Sequence, residues 1–162
     1  MNEDKKNSIL INNNIEIEAK FLACEIFFKK DIFFMRRHPI EKIAEIYTQA
    51  LVHNYTGMAN SWGLLYEHED EGTVGIEFLV FGKKAIPSLA KLLDNTNTNL
   101  EYDGSKEATV GNGYHFRIKD FAAYYIGRIM GNPLKYYPNV IDRDVQIEKL
   151  KKEIELYYTN NK

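Results

Sequence analysis

The stretch Pro39-Ile40-Glu41-Lys42-Ile43-Ala44-Glu45-Ile46-Tyr47-Thr48-Gln49-Ala50-Leu51 carries the clearest periodicity in the chain. Ile40, Ile43, Ala44, Tyr47, Ala50 and Leu51 recur three and four residues apart, and Glu41, Lys42, Glu45 and Gln49 take the opposite side. Pro39 suits the first turn of a helix, because its fixed φ is helical and its missing N–H would be unpaired there anyway. The pattern predicts a helix ending near Tyr55, before Gly57. Its apolar stripe needs other elements to cover it, so the fold class turns on whether the neighbouring segments share this period.

They do. Toward the N-terminus, Ile15-Glu16-Ile17-Glu18 alternates like a strand, but Phe21, Leu22, Glu25, Phe28 and Ile32 fall at helical spacing without Gly or Pro. One helix over residues 14–34 is expected, preceded by a polar tail over 1–13. Toward the C-terminus, a short helix is expected around Trp62, then a helix from Thr73 to Phe81 stopped by Gly82. Another covers Lys84–Asp94, with Pro87 in its first turn and Ile86, Leu89, Ala90, Leu92 and Leu93 inward. Asn95-Thr96-Asn97-Thr98-Asn99 should be irregular, because Asn and Thr side chains compete for backbone groups. Asp103-Gly104 and Asn112-Gly113 are hairpin-turn dipeptides, so a small hairpin is expected between Ala108-Thr109-Val110 and Tyr114-His115-Phe116. Helix returns from Phe116 to Met130 and ends at Gly131-Asn132-Pro133. A last helix opens at Asp142 or Asp144 and packs Val145, Ile147, Leu150, Ile154 and Tyr157. The reading is a mainly α fold of six or seven antiparallel helices, a single domain over 14–162, with a loop or hairpin insertion near 95–115.

With 162 residues the chain can bury one real core, and 44% hydrophobic with 27% charged residues is ordinary for a globular domain. The formal charge of −2 speaks against direct nucleic-acid binding, which usually shows as a basic excess. Cys24 is the only cysteine, so no internal disulfide can form, and its apolar neighbours read it as a small buried hydrophobe. The N-terminus carries charges of both signs, and no apolar run approaches membrane-spanning length. A cytoplasmic protein that does not enter the membrane is the expectation.

Two segments resemble a known repeat. Gly82-Lys83-Lys84-Ala85-Ile86-Pro87-Ser88-Leu89-Ala90-Lys91-Leu92-Leu93-Asp94 is similar to the first helix of a HEAT-like repeat of the bilin-lyase type, with its glycine, Ala-Ile-Pro, leucines and acidic stop. Residues Arg117 to Gly131, with the double alanine Ala122-Ala123 and the closing glycine, resemble the second helix. The resemblance implies stacked helix pairs around a shared core. The chain departs from the pattern in its long linker between the two helices, in Tyr124 and Tyr125, and in an N-terminal third with no visible repeat. More loosely, a short, slightly acidic domain of this kind is similar to immunity proteins of bacterial toxin systems, including contact-dependent growth inhibition. That likeness implies a protein that binds and neutralises a cognate toxin, often a nuclease, with no turnover and no cofactor.

No catalytic set emerges from the residues. His38, His53, His68 and His115 lie in no recognised metal-ligand spacing. His68 beside Glu67, Glu69 and Asp70 is the best ligand set, but such a run is usually a solvated loop, and no metal is expected. Gly111-Asn112-Gly113 lacks the third glycine and the lysine of a phosphate loop, and Ser61 is not in a Gly-x-Ser-x-Gly elbow. Asp142 and Asp144 are explained by helix capping. What remains is surface. Glu67, Glu69, Asp70 and Glu71 form the densest acidic run and suit a basic partner, although solubility alone would also account for them. Eleven tyrosines are many for this length, and Tyr102, Tyr114, Tyr124, Tyr136 and Tyr137 cluster around the insertion and connectors. With Asp103 and His115 these residues make the expected partner-binding set, and a toxin domain with a basic surface is the expected partner. An adaptor that scaffolds a cellular complex is the alternative, and a HEAT-like enzyme a more distant one.

Overall fold

A computed structural model describes residues 3–31, 33–64, 72–104, 106–135 and 137–160. Its elements are α1 (Glu3–Ile11), α2 (Ile17–Lys30), α3 (Phe34–Arg37), α4 (Ile40–His53), α5 (Glu77–Phe81), α6 (Ile86–Ala90), α7 (Lys106–Gly113), α8 (Ile118–Met130) and α9 (Val140–Asn160). Short 3-10 turns occupy Ala59–Trp62 and Gly82–Ala85. The fold is mainly α, and no strand occurs among the described residues.

The helices pack in series: α2 on α4, α4 on α6, α6 on α8 and α8 on α9, with α5 bridging α4 and α8. The register follows the predicted stripe of α4, where Ile43, Ala44, Tyr47, Ala50 and Leu51 are all fully buried. α8 is the central rod. Ile118, Phe121, Ala122, Tyr125 and Ile126 are inward as expected, and Asp120, Ala123, Tyr124 and Gly127 are buried too, so the helix is wrapped on nearly every side. Its N-terminus is held by Asp120 Oδ2, which accepts the Arg117 N–H at 2.8 Å. Its C-terminus closes on Gly131 at φ 75, with the Asn132 N–H bonded to Gly127 O at 2.9 Å.

Several boundaries differ from expectation, each for a visible reason. Residues 3–11, expected as a polar tail, form α1 because Leu10 is fully buried and Lys6 pairs with Asp31 at 2.6 Å. The expected helix over 14–34 is shorter and divided. It starts late because Asn12 Oδ1 turns the chain by accepting the Asn14 N–H. It ends at Asp31, whose carboxylate gathers Lys6, Arg37 and the Phe33 N–H. Around Trp62 the helix is a 3-10 turn, and residues 73–76 are a turn before α5. α6 ends at Ala90, with turns to Asp94. α9 opens at Asn139, whose Oδ1 accepts the Ile141 N–H at 2.8 Å, and not at Asp142 or Asp144. Val145, expected inside, is 66% exposed, while Arg143 takes an inward position.

The hairpin is replaced by α7. Asn112, read as a turn residue, lies at the end of that helix, and its side chain bonds the backbone of Tyr102 in both directions, at 2.7 and 2.9 Å. Residues 95–99 are irregular, as expected of their Asn and Thr content, and the irregular connection continues through 104.

Candidate partner-binding face

The acidic run Glu67, Glu69, Asp70 and Glu71, with His68, lies outside the described residues. The frame that carries it is well defined. The chain enters at Leu64, φ 61, and returns at Gly72, φ 65. A Cβ at Gly72 would lie 2.4 Å from Gly63 N and 2.5 Å from Ser61 O, so only glycine lets the two ends approach this closely. Ser61 O then accepts both the Val74 and the Gly75 N–H, at 2.8 and 3.0 Å, which pins the returning chain to the turn it left.

The extended segment 100–104 runs beside this frame. Leu100 and Tyr102 point inward, each 5% exposed, and the intervening Glu101 and Asp103 point out, the period-two alternation of extended chain. The Ala59 N–H bonds Glu101 O at 2.8 Å, and Asn60 bonds both backbone groups of Asp103, at 2.9 and 3.0 Å. Tyr102 donates its hydroxyl to Gly63 O at 2.9 Å. Asn60 and Asn112 thus do for this segment what a neighbouring strand does in a sheet. Tyr102 is the tie between insertion and loop frame, and its ring is not available at the surface.

A second cluster forms around Arg143, 5% exposed. Its Nη2 donates to Tyr114 O at 2.9 Å, its Nη1 to Tyr137 O at 2.9 Å and Pro138 O at 3.1 Å, and the guanidinium lies 5.1 Å from the Phe116 ring centroid. One side chain therefore brings together two connectors, and with them Tyr114, His115 and Tyr137. Tyr114 and Tyr137 are half-buried and His115 is exposed, at a left-handed φ of 48. Tyr124 is 2% exposed and packs on Tyr125, so it belongs to the core. Tyr136 lies outside the described residues.

Behind these connectors is a buried charge network. Arg117 meets Asp120 at 2.8 Å and Asp144 at 2.8 Å, Lys119 meets Asp144 at 2.7 Å, and Arg143 Nε stands 3.5 Å from Asp120. Burial opposes the charge of Arg117, but the hydrogen bonds it donates to Asp120 and Asp144 outweigh burial and hold the guanidinium protonated. The Arg117 hydrogen bond in turn keeps Asp144 below the usual carboxylate range. Burial lowers the pKa of Arg143. Arg143 and Asp120 line a cavity of about 30 Å³ with Leu64, Phe116, Leu134 and Ile147, room for a single water molecule. That is far below the several hundred Å³ of a small-molecule site. Burial also pushes the Cys24 thiol up to about 12, with Glu25 adding to the effect. Among the described residues no three His, Cys, Asp or Glu side chains come together to hold a metal ion, and no helix is long and apolar enough to cross a membrane.

The structure therefore brings together part of the expected set. Asp103 stands at the loop frame, and Tyr114, His115 and Tyr137 at the Arg143 cluster, with α7 running between the two. Asn60, Asn112 and Arg143, which build this face, had no local signal beyond being polar residues in irregular or helical surroundings. No protein-family model matches the chain, and neither a curated protein nor a solved structure matches it.

Proposed function

We propose that this chain is a non-catalytic binding protein of the immunity type, which neutralises a cognate bacterial toxin domain in the cytoplasm through an acidic edge. A HEAT-like helical stack is its platform. One observation carries the reading: the Tyr102 hydroxyl bonded to Gly63 O fastens the 100–104 segment to the frame of the acidic loop. Glu101 and Asp103 consequently emerge at the same edge from which the segment bearing Glu67, Glu69, Asp70 and Glu71 departs and to which it returns. The formal charge of the whole chain is only −2, so the run Glu67 to Glu71 concentrates negative charge that the rest of the sequence balances. Such a patch steers a basic protein surface into place and raises the association rate roughly ten- to a thousandfold at low salt. A nuclease, whose substrate channel is basic, has that surface.

The test is to mix the purified chain with the toxic protein encoded beside its gene. The expected result is co-elution as a complex and loss of toxicity, with Glu101→Lys and Asp103→Lys slowing association in a salt-dependent way. A mixture that neither co-elutes nor loses toxicity overturns the proposal.

A further inference from the structure

The two sides of α9 have different neighbours. On the inner side Ile147, Leu150 and Ile154 are buried in the core, and Arg143 holds the connectors. Ile141, Val145 and Leu156 share the opposite side, because steps of four and eleven residues are close to whole turns of a helix. They are 69%, 66% and 61% exposed, and the first two are the most exposed large hydrophobic side chains among the described residues. Between them the same face carries Glu148, Lys149 and Lys152, all exposed. Glu148 meets Lys151 at 2.7 Å and Lys149 meets Glu153 at 3.7 Å, both within the helix. Lys152, in the middle of the face, meets no carboxylate among the described residues. The outer face is thus apolar at both ends and ionic, with both signs, at its centre.

We infer that this face is the interface of an antiparallel homodimer, in which α9 packs on α9 of a second copy about a two-fold axis passing between residues 148 and 149. The order of residues along the face carries the inference, because it is complementary to its own reverse. In that register Ile141 is opposite the partner's Leu156, and Val145 is opposite the methylene stem of the partner's Lys152. The two Glu148 carboxylates, near the axis, stand between the two Lys152 ammonium groups, each about 4.5 Å farther along the helix. Lys152 gains the carboxylate it lacks in its own chain, and the Glu148 pair is neutralised. A parallel pair would leave each Lys152 level with its own copy. A nucleic acid or an anionic membrane selects a basic face, and this one sets Asp142, Glu148 and Glu155 against Lys149 and Lys152. The paired segment 141–156 spans roughly 24 Å of helix, so the interface is small and the dimer depends on concentration. The inference needs no toxin and does not use the acidic edge, so the two readings fail separately.

The test is sedimentation equilibrium of the full chain over about a hundredfold range of concentration. The mass should rise from that of one chain toward that of two. Val145→Asp and Leu156→Asp, both at exposed positions and checked by circular dichroism, should each weaken association at least about tenfold, the factor expected of one apolar anchor. Glu148→Lys and Lys152→Glu should each associate more weakly than the parent, and an equal mixture of the two should regain association, because each chain then supplies the charge the other lacks. Direction is read from introduced cysteines, the native Cys24 being buried. On oxidation Ile141→Cys should cross-link to Leu156→Cys, and neither to its own copy. A single-chain mass at every concentration, association that Val145→Asp and Leu156→Asp leave unchanged, or cross-linking of Ile141→Cys to itself would each overturn the inference.

Discussion

Around Tyr47, α2, α4 and α5 meet through rings: Phe21, Phe28, Phe78 and Phe81 all pack on it, and Trp62 stacks on Phe78. Around Arg143, by contrast, α8, α9 and two connectors meet through a guanidinium, three carbonyls and the carboxylates of Asp120 and Asp144. The two regions are stabilised differently. The rings contribute by area and shape, without direction. The polar region contributes little net free energy per contact and a great deal of geometry, since each bond fixes where a connector runs. Of the expected interface residues, Tyr114, His115 and Tyr137 sit on the second kind of region. A binding face needs defined backbone positions more than it needs extra stability.

That contrast can be broken most forcefully at Trp62, which is fully buried and whose carbonyl accepts the Tyr125 hydroxyl. Trp62→Ala should cost about 3–5 kcal/mol in urea unfolding and loosen the whole molecule. Arg143→Met should cost less, about 2–4 kcal/mol, because water reaches some of the three released carbonyls. Its signature is local: amide exchange should quicken over 113–116 and 137–139 while α4 stays protected. Equal loss of protection in both regions would show that the two are not separable.

A smaller effect, about 1–2 kcal/mol, is expected for Asn112→Ala, which frees both backbone groups of Tyr102. It should leave α8 intact and slow association with a basic partner, because Glu101 and Asp103 lose their fixed line. The smallest effects are those of pH, and the two regions should show opposite signs. Asp144 titrates below the ordinary aspartate value in the fold, so its contribution is present above that value and is lost as pH falls through and below about 4. Glu77 titrates above the ordinary glutamate value, so its ionisation withdraws stability as pH rises past about 4.5 toward its raised folded pKa. Melting temperatures followed against pH should therefore flatten at the acid end in Asp144→Asn and at the upper end in Glu77→Gln. A Glu77→Gln profile parallel to that of the parent would show that burial does not hold this carboxyl above its ordinary value.

Periodicity made α4, α8 and the inner face of α9 legible, because their apolar spacing needs no knowledge of neighbours. Gly131-Asn132-Pro133 announced its helix end for the same reason: the signal is contained within a few residues. What sequence reading missed were residues whose partner is distant. Asp31 looked like one more polar position in a helix until Lys6, 25 residues away, met it. Asn112 looked like a hairpin turn until its amide found Tyr102. Tyr102 and Tyr124 share composition with Tyr114 and Tyr137, and only burial separates the pair that packs inward from the pair the surface partly shows.

The amino-acid order by itself determined that this chain is helical, where its main apolar stripes lie, and that Glu67 to Glu71 concentrate negative charge. The tertiary structure alone decided that Tyr102 ties the 100–104 segment to Gly63, that Arg143 binds two connectors into one corner, and that Glu25 takes the hydroxyl of Tyr47. Helical stripes and charge runs are properties of neighbours along the chain, whereas a hydrogen bond or an unpaired carboxylate depends on which distant segments the packed core brings within about 3 Å of each other.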